Sequence, residues 1–157
     1  QPITETNFIT YICTEANRIN TSLAKTHIRH LVKLINDMDD SVSYCYPAEV
    51  ISNRDTKMTF TYNTPTPDMF SGQVKLLPAG YWKYEIYEVS WTGIVAVDAS
   101  HAPATETDIL TPNPTHGIVQ GLVAIGKLYL GEKAGTEEVS YTEYERPAST
   151  NTIYYGQ

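Results

Sequence analysis

Gly80–Val89 reads G-Y-W-K-Y-E-I-Y-E-V, and its large apolar side chains alternate with Lys and Glu. Lys57–Asn63, K-M-T-F-T-Y-N, and Gly72–Leu77, G-Q-V-K-L-L, show the same alternation. A period of two is typical of β-strands with one buried face. The three stretches predict a mainly β chain with an aromatic core and polar outer faces. Six side chains would share one core, on adjacent strands joined by the turn at Leu77–Gly80: Met58, Phe60, Val74, Trp82, Tyr84 and Ile86. None of them carries a catalytic motif, so they indicate a fold class and no activity.

The composition fits one β-rich domain. The chain has 157 residues, enough to bury a core without cross-links. Twelve Tyr, three Phe and two Trp favour strands. The formal net charge of −7 argues against a protein whose main task is to bind nucleic-acid phosphates, although it also simply favours solubility. No apolar run approaches the roughly 20 residues that span a bilayer, and the first residues lack a signal-peptide pattern. We expect neither nucleic acid nor a membrane as a partner.

The stretch His27–Asn36, H-I-R-H-L-V-K-L-I-N, fits both a helix and a strand. Four apolar residues fall roughly on one helical face: Leu23, Leu31, Ile35 and Met38. Turn-forming residues follow at Asn36–Asp40, and Ser41–Tyr46 then alternates as a strand does. We therefore predict a strand–turn–strand hairpin here, with a helix as the alternative for residues 16–36.

The remaining segments complete a strand-rich pattern. We predict strands at Gln73–Leu77, Gly121–Gly131 and Glu138–Glu145, a turn at Leu77–Gly80, and a connection at Ala48–Thr56. Gly126 inside the apolar Gly121–Gly131 strand indicates a bulge or a close backbone approach, and we expect that strand to be central in its sheet.

About seven short strands with frequent turns predict an all-β fold, an immunoglobulin-like or related antiparallel β-sandwich. Residues 1–26 are expected to be an N-terminal arm or edge strand, and residues 27–157 the sandwich domain. Residues 92–117 form a long loop with only a short apolar piece. Because long loops often carry function, we expect this loop and the two termini to make most contacts with other subunits.

Candidate reactive residues are few. Cys13 and Cys45 could form one disulfide, but nothing in the chain marks an oxidising compartment, and Cys45 fits a small core residue better than a nucleophile. His27 and His30 would share a face only on a helix, so we expect ordinary surface histidines. The same holds for the isolated loop histidines His101 and His116.

Three loop carboxylates could be offered as a hydrolytic pair: Asp98, Glu106 and Asp108. Their spacing alone does not support this. We expect the Asp and Glu side chains to point outward into water, and therefore expect no catalytic residues, no metal and no cofactor. The aromatic pairs Trp82/Tyr84 and Tyr141/Tyr144 could stack on sugars, but alternation with charged residues favours core packing.

Within about residues 28–155 the chain carries five characteristic runs: L-V-K-L-I-N-D-M-D-D-S-V-S-Y-C-Y-P, R-D-T-K-M-T-F-T-Y-N, V-K-L-L-P-A-G-Y-W-K-Y-E-I-Y-E-V-S-W, G-I-V-Q-G-L-V-A-I-G-K-L-Y-L and E-V-S-Y-T-E-Y-E. This pattern resembles a family of small virion-associated proteins of tailed bacteriophages, many from phages of marine and related bacteria. The shared motifs are packing and turn motifs.

The resemblance implies a non-enzymatic structural component of the virion, either a capsid decoration or auxiliary protein or a head–tail connector protein. Its partners would be other virion proteins, namely major capsid or connector proteins, and further copies of itself in a homo-oligomer. The particle would assemble in the bacterial host cytoplasm. Two alternatives stay open: a carbohydrate-binding β-sandwich module on a phage fibre or cell-surface protein, and a small hydrolase that uses the loop carboxylates.

Overall fold

The protein is an antiparallel β-sandwich in a computed structural model that describes residues 7–62 and 65–131. Sheet one has a central strand that pairs antiparallel with two strands and parallel with a third. Its members are β1 (Asn7–Ile12), β4 (Ala48–Ile51), the central β5 (Thr56–Tyr62) and β6 (Gln73–Val74).

Sheet two is antiparallel throughout, with the strand order β3-β2-β7-β8. Its strands are β2 (Ile28–Asn36), β3 (Val42–Cys45), β7 (Gly80–Ser90) and β8 (Ile118–Leu130). Single turns of 3-10 helix occur at Glu15–Asn17, Lys25–His27 and Met69–Ser71. The predicted all-β sandwich is confirmed, and β2 forms the predicted strand and hairpin with β3 rather than a helix.

The main core lies between the two sheets. Phe8 of β1 stacks on Phe60 of β5 with ring centroids 4.7 Å apart, and Trp82 and Ile86 of β7 fill the opposite side. The predicted common core is confirmed; it contains Met58, Phe60, Val74, Trp82 and Ile86, with Tyr84 packed against it. The predicted pairing of the strands on either side of the Leu77–Gly80 turn was wrong. Residues 77–80 carry the chain from one sheet to the other, and β6 does not pair with β7.

Strand β2 is buried on both faces, which explains its ambiguous sequence. Val32 and Leu34 face the main core, whereas Leu31 on the outer face belongs to a second cluster with Val89, Trp91 and Ala102. The loop at residues 92–117 covers this face, and the Tyr46 hydroxyl donates to the carbonyl of Pro103 at 2.6 Å. Residues 92–117 contain no helix or strand, and the expectation of a polar outer face is wrong here.

The N-terminal segment includes an edge strand, as one of the two predicted alternatives states. Strand β1 pairs with β5 so that Phe8 lies opposite Phe60, and residues 1–6 lie outside the described part.

The predicted connection at Ala48–Thr56 is wrong for Ala48–Ile51, which forms β4. Gln73–Leu77 forms a strand only at Gln73–Val74. A short strand with charged Glu49 gives too little alternation to be recognised.

Strand β8 is the longest described strand, with 13 residues against 11 in β7. The predicted close approach at Gly126 is confirmed, because a Cβ atom there would overlap the Tyr84 ring and hydroxyl. Among the described residues, β8 is the last strand of sheet two and pairs with β7. The predicted strand Glu138–Glu145 and the aromatic pair Tyr141/Tyr144 lie outside the described residues.

Both cysteines are free thiols, and they differ in accessibility. Cys13 is exposed and Cys45 is buried in the main core. Burial raises the pKa of the Cys45 thiol to about 12, as expected for a small core residue. At about pH 8, we expect one thiol per folded chain to react rapidly with a thiol reagent and the second only in denaturant. Cys13→Ser should abolish the fast reaction; two fast thiols would contradict this assignment.

Candidate functional site

A buried polar cluster links the two sheets at one end of the sandwich. Glu49 of β4 reaches across to β2, where one carboxylate oxygen accepts from the His30 backbone N–H at 2.7 Å. The other oxygen lies 2.9 Å from His30 Nδ1, and both side chains are buried. Strand β3 pairs only with Val32–Ile35 of β2. Glu49 therefore satisfies a backbone donor that lies beyond the end of the β2–β3 ladder.

Glu88 of β7 lies opposite His30 in the sheet register and is also buried. Its carboxylate accepts from the backbone N–H groups of Ile19 and Asn20 at 3.0 and 2.8 Å. These contacts hold the segment between β1 and β2 against sheet two. The adjoining cavity, with Thr14 and Arg18 among its lining residues, has a volume of about 10 Å³, which is room for about one water molecule.

This cluster corrects two sequence predictions. His30 is not a surface histidine, and Glu49 and Glu88 do not point into water. The sequence held a signal for His30, because it alternates in phase with the core residues Val32 and Leu34. It held none for Glu49, whose partner lies on the opposite sheet. The cavity is too small for a substrate, so the contacts indicate a structural role.

A second polar network lies on the outer face of sheet two. Glu106 of the loop accepts from Lys33 Nζ at 2.5 Å and from the Tyr44 hydroxyl at 2.5 Å. Burial acts to raise the pKa of Glu106, but these hydrogen bonds outweigh it and hold the pKa below its ordinary value. Burial and the bond to Glu106 raise the pKa of Tyr44. The network fastens the loop to β2 and β3.

The three loop carboxylates make separate sets of contacts. Asp98 accepts from His101, while Asp108 accepts from the Thr105 hydroxyl and two backbone N–H groups. The hydrogen bond from His101 lowers the pKa of Asp98, and the one from Thr105 lowers the pKa of Asp108. Since glycoside hydrolysis needs one carboxyl with a raised pKa, this arrangement does not favour the hydrolase alternative.

The structure brings together two histidines that the sequence left apart. The rings of His101 and His116 lie 5.6 Å apart between centroids, although an irregular loop segment separates them in the chain. No periodicity links such positions, so no sequence signal could have paired them. Residues 7–62 and 65–131 contain no group of three or more His, Cys, Asp or Glu side chains able to hold a metal ion.

An exposed apolar surface lies on the outer side of β7 and β8. We name it the β8 strip and define it by Tyr81, Leu122, Ile125 and Tyr129. Ile125 is 58% exposed, and the rings of Tyr81 and Tyr129 lie 4.9 Å apart. Exposed apolar residues grouped on one face mark interaction sites more often than scattered ones do. The β8 strip is the candidate functional site.

An apolar groove adjoins the same strand from the other side. It opens between β1 and β8, has a volume of about 190 Å³, and is lined by residues that include Phe8, Ile12, Tyr84 and Leu128. The sandwich thus presents apolar groups on both sides of β8.

Comparison with protein-family models, with curated proteins and with solved structures finds no match to this chain. The resemblance to the tailed-phage family therefore stays a hypothesis. None of the described helical turns is long and apolar enough to cross a membrane.

Proposed function

We propose that the protein is a non-enzymatic structural component of a tailed-phage particle that acts through protein–protein assembly. Its place would be that of a capsid decoration or auxiliary protein, or of a head–tail connector protein. The β8 strip is the observation that carries this proposal, because it groups two tyrosines and two aliphatic side chains on a rigid sheet. The resemblance described above is the reason for choosing a virion as the setting.

The tyrosines of the strip fit an interface, whereas the two lysines beside them do so only through their aliphatic stems. Aromatic residues are enriched in the buried centres of protein interfaces, whereas Lys is depleted there and occurs at the rim. Lys83 and Lys127 lie opposite each other in the register between Tyr81/Tyr129 and Ile125, and their long aliphatic stems can cover apolar surface while the charge stays in water. Removing such a surface from water contributes about 25 cal/mol for each Å² of apolar area buried.

A charge in the β8 strip is expected to block assembly. We expect Ile125→Glu to enter phage particles at least tenfold less than the wild-type chain, because a buried unpaired carboxylate costs several kcal/mol. Mass spectrometry of particles purified from a host that expresses the variant measures the incorporation. Val50→Glu is the matched control, since Val50 is also aliphatic and more than half exposed but lies on β4 of the other sheet. Equal incorporation of the two variants, or a wild-type chain absent from the particles, would contradict the proposal.

One observation favours the carbohydrate-binding alternative. The paired rings of Tyr81 and Tyr129, beside Lys83 and Lys127, make an aromatic surface with polar neighbours, and such surfaces can stack on sugar rings. A glycan array distinguishes the two functions. Specific binding that Tyr81→Ala abolishes and Ile125→Glu leaves intact would favour glycan recognition over assembly.

A further inference from the structure

The loop at residues 92–117 holds two histidines in a defined arrangement. His101 follows a bend fastened by Asp98, whose carboxylate lies 2.7 Å from His101 Nδ1. The carbonyl of His101 accepts from the backbone N–H of Gly117 at 2.7 Å. That bond places His116, the preceding residue, beside His101, with the two ring centroids 5.6 Å apart.

The hydrogen bonds determine which ring nitrogen of each neutral imidazole carries the proton. His116 Nδ1 lies 2.6 Å from the carbonyl of Thr111, which only accepts, so Nδ1 must donate. His101 Nδ1 donates in the same way to the Asp98 carboxylate. In both rings the unprotonated nitrogen is therefore Nε2, and within the described residues neither Nε2 has a hydrogen-bond partner.

The Nδ1 hydrogen bonds of both rings are of the kind that metal-binding histidines make. A ligating imidazole almost always donates its other N–H to a carboxylate or a backbone carbonyl, which orients the ring and raises its basicity. Two imidazole nitrogens at about 2.0–2.1 Å from one metal ion place the ring centroids about 5–6 Å apart, and the observed separation lies in this range.

We propose that His101 and His116 form a two-histidine site for a divalent transition-metal ion, bound through the two Nε2 atoms with water in the remaining positions. Imidazole nitrogen suits Zn²⁺, Ni²⁺ and Cu²⁺, whereas Mg²⁺ and Ca²⁺ take oxygen ligands. The ion would join the two ends of the segment from His101 to His116 and brace the loop over the second core cluster. The site goes beyond the assembly function and departs from the expectation of no metal.

The test is metal titration of the full chain, with Zn²⁺, Ni²⁺ and Cu²⁺ each added alone and followed by calorimetry and by the Tm. All variants carry Cys13→Ser, because the exposed Cys13 thiol is itself a metal ligand. We expect one ion per chain, tightest for Cu²⁺, a Tm rise of roughly 5 °C at about a hundred times Kd, and no rise with Mg²⁺.

The variants separate a metal site from a mere ring contact. His101→Gln and His116→Gln are each expected to weaken Zn²⁺ binding at least tenfold, while His27→Gln, which removes a histidine elsewhere, should leave it unchanged. Asp98→Asn keeps both rings and should weaken binding roughly 10–100-fold through the lost orientation of His101. Absence of binding in the Cys13→Ser protein, or binding that either His101→Gln or His116→Gln leaves intact, would overturn the proposal. Circular dichroism of the metal-free variants checks that each is folded.

Discussion

Trp82→Ala is expected to lower the free energy of unfolding by about 3–5 kcal/mol. Trp82 is 1% exposed and belongs to the core that both sheets build. Its indole N–H donates to the carbonyl of Pro78 at 3.1 Å, so the substitution leaves a cavity and also removes a hydrogen bond from the segment that joins the sheets. Because Trp82 belongs to the core that both sheets build, the cavity would lie between the two sheets.

Urea denaturation followed by fluorescence and circular dichroism measures this effect. Tyr11→Ala is the matched control, because Tyr11 is also an aromatic strand residue but is 68% exposed; surface substitutions of this kind are usually within about 0.5 kcal/mol. If both variants lost the same stability, Trp82 would not be a core residue of the folded protein.

Glu49→Ala is expected to cost about 3–5 kcal/mol, because it leaves two buried hydrogen-bond donors without an acceptor, at roughly 1–3 kcal/mol each. The carboxylate satisfies both the backbone N–H and the ring Nδ1 of His30. Without it, two buried donors on β2 lose their acceptor, and a polar link between the sheets is gone. Glu49→Gln keeps an amide oxygen as an acceptor for one donor and should fall between wild type and Glu49→Ala.

The control for this substitution is an exposed glutamate that pairs with a lysine. Glu15 pairs with Lys25 at 3.1 Å, but both side chains are about 30% exposed, and exposed pairs contribute about 0–1 kcal/mol. Thermal and urea unfolding of Glu49→Ala and Glu15→Ala are directly comparable. A decrease below about 1 kcal/mol in the free energy of unfolding of Glu49→Ala would show that water enters the cluster and replaces the carboxylate as acceptor.

The β8 strip shows how much of the candidate site could be predicted from the sequence. Gly121–Gly131 is strongly apolar, which predicts a strand that is central in its sheet. The structure covers the inward face with Val123 and Leu130 and leaves Ile125 more than half exposed. Hydropathy measures how apolar a side chain is, and not whether another element is present to cover it. An interaction surface and a core face therefore look alike in sequence.

Alternation alone determined the all-β class, the strands β5 and β7, and the inward residues Phe60, Trp82 and Ile86, because the side-chain period of a strand is a local property of the backbone. Tertiary structure decided which sheets face each other, that β2 is covered on both faces, and that His30 lies between Glu49 and Glu88. It also brought His101 to His116. These contacts join residues that are far apart in the sequence, either on different strands or at the two ends of a loop segment. The side-chain period of a strand relates only positions within that strand, so it does not predict which distant residues meet.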